Sequence, residues 1–261
     1  MTVGELLDAA TTLLRTRVRL LLGVGFLLAL AEQAVLFPLR QLADVTYLVF
    51  PGEDRWGWYA ILLLVGFGTE TFGIAALGAV TASAAPRALL GTAAPARPVP
   101  VPKALLVVLT LTVLSLLAGA TVVAGPAVFL LLGLAMPALV VDRLGPGAAL
   151  VRSVRLSTRR GLRAGWIRLL GYVSWLFIRL ATGVAGWVAL DLLLDTGTAA
   201  GDHLAIGIAW LLVNTLAYPT LACLDAVLHL DLRMRTEGLD LGLRRALSRR
   251  VSCDNALAVP R

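Results

Sequence analysis

WYAILLLVGFGTETFGIAALGAVTA, residues 58–82, decides the fold. It holds a single acidic or basic side chain, Glu70, and as a helix it is long enough to cross roughly 30 Å of hydrocarbon. Five further stretches read the same way, at about 18–39, 104–123, 127–141, 166–190 and 204–227. The expectation is an all-α polytopic membrane helical bundle with six transmembrane helices and amphipathic interfacial helices. Residues 1–230 form its transmembrane domain and 231–261 a basic cytoplasmic tail.

Composition points the same way. Apolar residues make up 59% of the 261 positions and charged ones 15%, and a water-soluble domain of this size has no interior large enough to hide so much apolar surface. Arg15, Arg17 and Arg19 precede an apolar run containing Ala29-Leu30-Ala31, a pattern resembling a cleavable signal, but the run continues through Phe37 and five more spans follow. Cys223 and Cys253 sit in no CxxC, and no His pair has zinc spacing, so no cofactor, disulfide or metal is expected. The net charge of +7 does not indicate nucleic acid, because the basic residues lie mainly between and after the apolar runs instead of on one soluble face. All of them but Lys103 are arginine, and with the Ala, Leu, Gly and Val bias this fits a GC-rich bacterial genome.

Arginine placement sets the expected threading, since cytoplasmic loops carry the excess of positive charge. With both termini cytoplasmic, the inner segments hold 19 Lys or Arg and the outer loops only Arg40 and Arg55. A multi-pass protein of the bacterial plasma membrane is the reading that makes this alternation consistent.

Two segments have the rhythm of helices lying on the membrane. Val3, Leu6, Leu7, Ala10, Leu13 and Leu14 share one face, with Thr2 and Glu5 spaced as a capping box. From Gly145-Pro146 a second helix places Arg152, Arg155 and Arg159 on one face with Leu150 and Val154 opposite. Such arginines fit anionic lipid headgroups, or act only as topological signals.

Glu32, Glu70 and Arg179 fall inside spans, where ionisable groups are costly and find partners. Either glutamate can pair with Arg179, to fix helix register or to form a relay. Pro137 and Pro219 interrupt spans four and six and free the carbonyls of Gly133 and Thr215. Asn214, Tyr218 and Asp225 continue down the sixth span, and Asp225 with His229 one turn on has the spacing of a metal pair lacking a third ligand. His203 is read as an outer-loop residue, just after Asp191, Asp195 and Asp202 of a short acidic segment.

After span six, Asp231 with Arg235 and Arg233 with Glu237 are i, i+4 pairs, Gly238 is placed to end that helix, and Asp240 opens a short basic one bearing Arg244, Arg245, Arg249 and Arg250. Together with Val3-Gly4-Glu5-Leu6-Leu7-Asp8-Ala9-Ala10 and Pro137-Ala138-Leu139-Val140-Val141-Asp142-Arg143-Leu144-Gly145-Pro146, the Asp231 to Asp240 stretch resembles the bacterial glycerophosphoryl diester phosphodiesterase membrane-domain family. The resemblance implies a helical membrane domain, sometimes joined to a phosphodiesterase barrel. No barrel, GxSxG, Walker loop or HExxH is present here, so no catalysis is expected.

Two functions follow as expectations. The first is a non-catalytic protein that organises membrane lipids, or a membrane or cytoplasmic protein partner, through Arg152, Arg155, Arg159, Asp231, Arg233, Arg235, Glu237 and Asp240. The second is a small transporter or lipid-translocating protein using Glu32, Glu70 and Arg179.

Overall fold

The computed structural model describes residues 2–45, 51–91, 98–119, 121, 124–159, 162–194, 199–249, 253 and 257–258. Among these the chain is helical without strands, as the apolar periodicity predicts. Five helices are long and apolar enough to cross a membrane: α2 (Val18–Ala43), α3 (Trp56–Leu90), α4 (Val101–Gly119), α8 (Arg163–Leu194) and α9 (Ala199–Glu237). Their outward faces carry Leu27, Leu117, Phe177 and Leu192, all well over half exposed, a surface compatible with lipid and prone to aggregate in water.

The expected fourth span is not one helix. It is split into α5 (Ala124–Leu132) and α6 (Ala135–Val140), with a break at Gly133-Leu134. The break lies one turn before Pro137, whose ring takes the space of the carbonyl four residues earlier and whose missing N–H leaves that carbonyl without its helical donor. Pro219 behaves differently, because α9 continues through it. Gly25 of α2 packs against this point so closely that a Cβ there would lie 2.9 Å from both Pro219 Cγ and the Thr215 carbonyl oxygen.

Helix α9 is the axis of the bundle, with α1 (Val3–Thr16), α2, α3 and α8 packed around it. Half of its most apolar stretch is buried (50%), against 11% for α8. On the far side of α3 lie α4 and the broken pair, joined to α8 by α7 (Pro146–Thr158).

The capping box of Thr2 and Glu5 forms at the start of α1. The helix buries Leu6, Ala10 and Leu13 in the protein core and leaves Val3 and Leu7 exposed, so only part of the expected apolar face is free to meet lipid. In α7, Pro146 occupies the first turn as expected; the fully buried residues are Ala149, Ser153, Leu156 and Ser157, while Leu150 and Val154 are half-buried and Leu150 packs against the core. Ser153 and Ser157 donate to the Leu131 carbonyl oxygen at 2.7 and 3.3 Å, occupying an acceptor in the last turn of α5.

The boundary expected at residue 230 falls inside α9, which ends at Glu237 with Gly238 in the left-handed conformation (φ 65°). The amphipathic α10 (Leu239–Ser248) follows and buries Leu239 and Leu243. His203 belongs to α9 and is buried, so it is not a loop residue. Asp202, also in α9, accepts from Trp187 Nε1 at 3.0 Å, whereas Asp195 lies outside the described residues.

Candidate functional site

The polar groups on α9 follow one face down the helix: Asn214, Tyr218, Asp225, His229 and Arg233. Each meets a charged or polar partner from outside α9, so the bundle axis carries polar stations instead of a continuous apolar core.

The first station is Glu32 of α2. It is 5% exposed and is held by neutral groups: Tyr218 Oη at 2.6 Å from both carboxylate oxygens, Asn214 Nδ2 at 2.8 Å and Thr69 Oγ1 at 3.3 Å. Tyr218 reaches it because Gly73 makes room for the ring; a Cβ at Gly73 would stand 3.0 Å from Tyr218 Cδ2. Beside Glu32, Gln33 accepts from Arg40 Nη2 at 3.1 Å, so Arg40, expected in an outer loop, is a buried guanidinium within α2.

The second station settles the choice left open in the sequence. Arg179 of α8 pairs with Glu70 of α3, Nη2 to Oε1 2.6 Å, while Glu32 stays with the hydroxyl and amide donors. Tyr172 donates to the other Glu70 oxygen at 3.0 Å. The Arg179 guanidinium also stands 5.4 Å from the Tyr172 ring centre and 5.9 Å from that of Trp210, within cation–π range.

These two stations line one cavity of about 260 Å³, together with Gln33, Arg40, Trp210 and Asn214. A neighbouring cavity of about 210 Å³ shares Phe67, Glu70 and Tyr172 with it and extends to Thr71 and Ser115, which hydrogen-bond each other at 2.8 Å. A small third space shares Thr71, Ser115 and Phe129 and ends on Arg168 and Asp225.

Arg168 and Asp225 form the third station; the sequence reading singled out Asp225 but not Arg168. The contact is bidentate, Nε to Oδ1 at 2.5 Å and Nη2 to Oδ2 at 3.1 Å, and both residues are buried. The guanidinium lies 4.3 Å from the Phe129 ring centre and occupies the break in the fourth span, so closely against Gly133 that any Cβ there would overlap it. The signal available in the sequence was an arginine two residues after Trp166, near the start of an apolar run and on a helix facing Asp225.

The fourth station lies at the end of α9. Asp142, 1% exposed, receives His229 Nε2 at 3.0 Å, Arg233 Nη1 at 2.9 Å and Arg152 Nε at 3.1 Å. Burial alone would raise the Asp142 pKa, but His229, Arg233 and Arg152 outweigh it and hold the carboxyl below the ordinary carboxylate range. Glu237 binds Arg152 at 2.6 Å and Arg233 at 3.2 Å, and Arg159 stands 3.7 Å away. Asp231 pairs with Arg235 at 3.0 Å and with Arg163 at 3.5 Å. Arg233 also donates to the Leu257 carbonyl, which brings the C-terminal segment back onto α9.

Asp225 and His229 therefore serve separate stations, and among the described residues no group of three potential metal ligands assembles. Arg152, Asp231, Arg233, Arg235 and Glu237, expected to contact lipid or a partner, are engaged in ion pairs within the chain. Asp240 is half-buried in the first turn of α10, while Arg155 and Arg159 point outward.

No family model, curated protein or solved structure matches the chain.

Proposed function

We propose that the protein is a small transporter whose solute site is the cavity between α2, α3, α8 and α9. The observation that carries this reading is the convergence of Glu32, Glu70, Arg40 and Arg179 on one cavity of about 260 Å³. Buried charges that only fix helix register are best served by direct pairing without adjoining space, since every unfilled contact forfeits packing. Here the charges border a volume suited to a small molecule, and the neighbouring cavity reaches Phe129 in the first half of the broken span. Intramembrane ionisable groups and interrupted helices are features with which transport proteins hold a solute.

The membrane is a bacterial plasma membrane, and both termini are cytoplasmic, on the strength of the arginine distribution. The protein has no catalytic role in this reading. The resemblance to the phosphodiesterase membrane-domain family adds a helical membrane domain and no activity.

The test is flux. Proteoliposomes containing the wild-type protein are expected to take up a solute that empty liposomes exclude, and Glu70→Gln and Arg179→Ala are expected to lose that uptake while remaining monodisperse in detergent. A broad panel of small polar solutes showing no protein-dependent uptake overturns the reading.

A second reading is favoured by exposed Arg155, Arg159, Arg244, Arg245 and Arg249, which leave a basic surface for anionic headgroups or a partner protein. Co-purification of a defined partner, lost when Arg244, Arg245 and Arg249 are changed to glutamine, supports association. These three changes leave the buried stations untouched.

A further inference from the structure

The carboxylates inside the bundle are matched to guanidiniums: Glu70 to Arg179, Asp225 to Arg168, Asp142 to Arg233 and Arg152, and Asp231 to Arg235. Glu32 is the exception. It is 5% exposed, and among the described residues no arginine, lysine or histidine stands within ion-pair distance of it. Its contacts are the Tyr218 and Thr69 hydroxyls and the Asn214 and Gln33 amides, all of them neutral.

The charged and titratable groups on the surrounding helices are engaged with other partners or lie away from it. Glu70 of α3 is held by Arg179 and Tyr172 of α8, and Arg40 of α2 donates to Gln33. On α9, His203 sits about three turns from Asn214, and on α1 Glu5, Asp8 and Arg15 are exposed. A carboxylate in a low-dielectric interior with neutral donors alone is far costlier than the same group carrying a proton.

The hydrogen bonds around Glu32 accommodate either form. Tyr218 Oη stands 2.6 Å from both carboxyl oxygens, so it donates its own hydrogen to one and accepts an acid O–H from the other. Access is also provided. Glu32 lines the cavity of about 260 Å³, ample for water at roughly 30 Å³ per molecule, and a proton travels along hydrogen bonds where no solute fits.

We propose that Glu32 is a proton-binding site and that solute passage is coupled to the proton it exchanges with cavity water. Hydronium gives its proton to the carboxylate and leaves as water; on release the proton returns to a water molecule. The inference rests on the cavity being the solute site. Loss of the proton leaves a bare carboxylate on the wall that also carries Arg179, where it competes with Glu70 for the guanidinium. That competition loosens an ion pair joining α3 to α8, and so gives proton binding a differential effect on two arrangements of these helices.

The test is infrared spectroscopy of the full chain in detergent, with the proton as probe, from about pH 5 to about pH 10. Ordinary carboxyls ionise near about pH 4, so their acid C=O bands are gone over this range. One such band is expected to persist at its lower end, to vanish on alkalinisation, and to be missing from Glu32→Gln. Tyr218→Phe keeps the ring beside Gly73 and removes the hydroxyl, and is expected to move the band to higher frequency. No such band in the native protein, or one that Glu32→Gln leaves in place and Tyr218→Phe leaves unmoved, overturns the proposal.

Proteoliposomes read the coupling. A solute from the polar panel that the protein takes up is expected to accumulate under one direction of an imposed pH gradient and not the other, and Glu32→Gln is expected to abolish the difference. Uptake indifferent to both the gradient and the variant overturns the coupling and leaves transport standing. A Glu32 band without uptake of any solute supports the proton site and sinks the transport reading.

Discussion

Arg179 Nη2 lies 2.6 Å from Glu70 Oε1 across the α8 and α3 interface, with side-chain exposures of 2% and 12%. Removing one partner leaves the other buried and uncompensated, so Glu70→Leu or Arg179→Leu is expected to cost about 3–5 kcal/mol. Replacing both by leucine removes the desolvation penalty along with the attraction, and is expected to restore most of that loss. Unfolding titrations of the two single variants and the double variant measure the coupling. A loss in the double variant equal to the sum of the two single losses would show that the pair is not an energetic unit.

Gly133 and Arg168 offer a second coupling. Gly133→Ala would overlap the Arg168 guanidinium, which the bidentate contact with Asp225 holds in place, so the substitution forces the pair apart. We expect a loss of about 2–4 kcal/mol in the native background. In an Arg168→Ala/Asp225→Ala background the added methyl meets no guanidinium, and its cost is expected to fall below about 1 kcal/mol. Thermal unfolding of both series reads the difference. A cost that is the same in the two backgrounds would place the strain in the backbone of the break.

Long elements were legible because length and hydropathy are local properties. Spans read at about 18–39 and 166–190 appear as Val18–Ala43 and Arg163–Leu194, and Pro137 predicted the freed carbonyl at the Gly133 break. Partner choice was not legible. Whether Arg179 takes Glu32 or Glu70 depends on the rotation of α2, α3 and α8 about their axes, which composition does not fix. The four groups Asp225, His229, Arg233 and Glu237 recur at one-turn spacing, yet the local charge density of the last two reads as a solvated tail. Only the approach of Asp142 and Arg152 from the α6–α7 region turns that stretch into a buried network.

Asp142 gives the network a pH signature. His229, Arg233 and Arg152 more than offset burial and depress the pKa of its carboxyl, so the folded protein takes up that proton less readily than the unfolded chain does. The associated stability is present at neutral pH, declines as pH falls below about 5, and is lost beneath the folded-state pKa. Asp142→Asn lacks this contribution at every pH. The stability gap between wild type and Asp142→Asn is therefore expected to be widest near pH 7 and to narrow toward pH 3. Unfolding midpoints across that range check it, and a gap that widens on acidification contradicts the sign.

Threading is the last expectation that one experiment reaches. Asp54 precedes α3 and is exposed, while Arg155 lies outward on α7 after the broken fourth span. In the proposed threading Arg155 lies in the cytoplasm and Asp54 outside. In a Cys223→Ala/Cys253→Ala background, Asp54→Cys is expected to react with a membrane-impermeant maleimide added to intact cells. Arg155→Cys is expected to react only after the cells are opened. The broken span makes this informative, because α5 and α6 together must still carry the chain across for the two residues to lie on opposite sides. If Arg155→Cys labels in intact cells, the α5–α6 segment enters and leaves by one face, and the basic residues of α7 stand on the same side as Asp54.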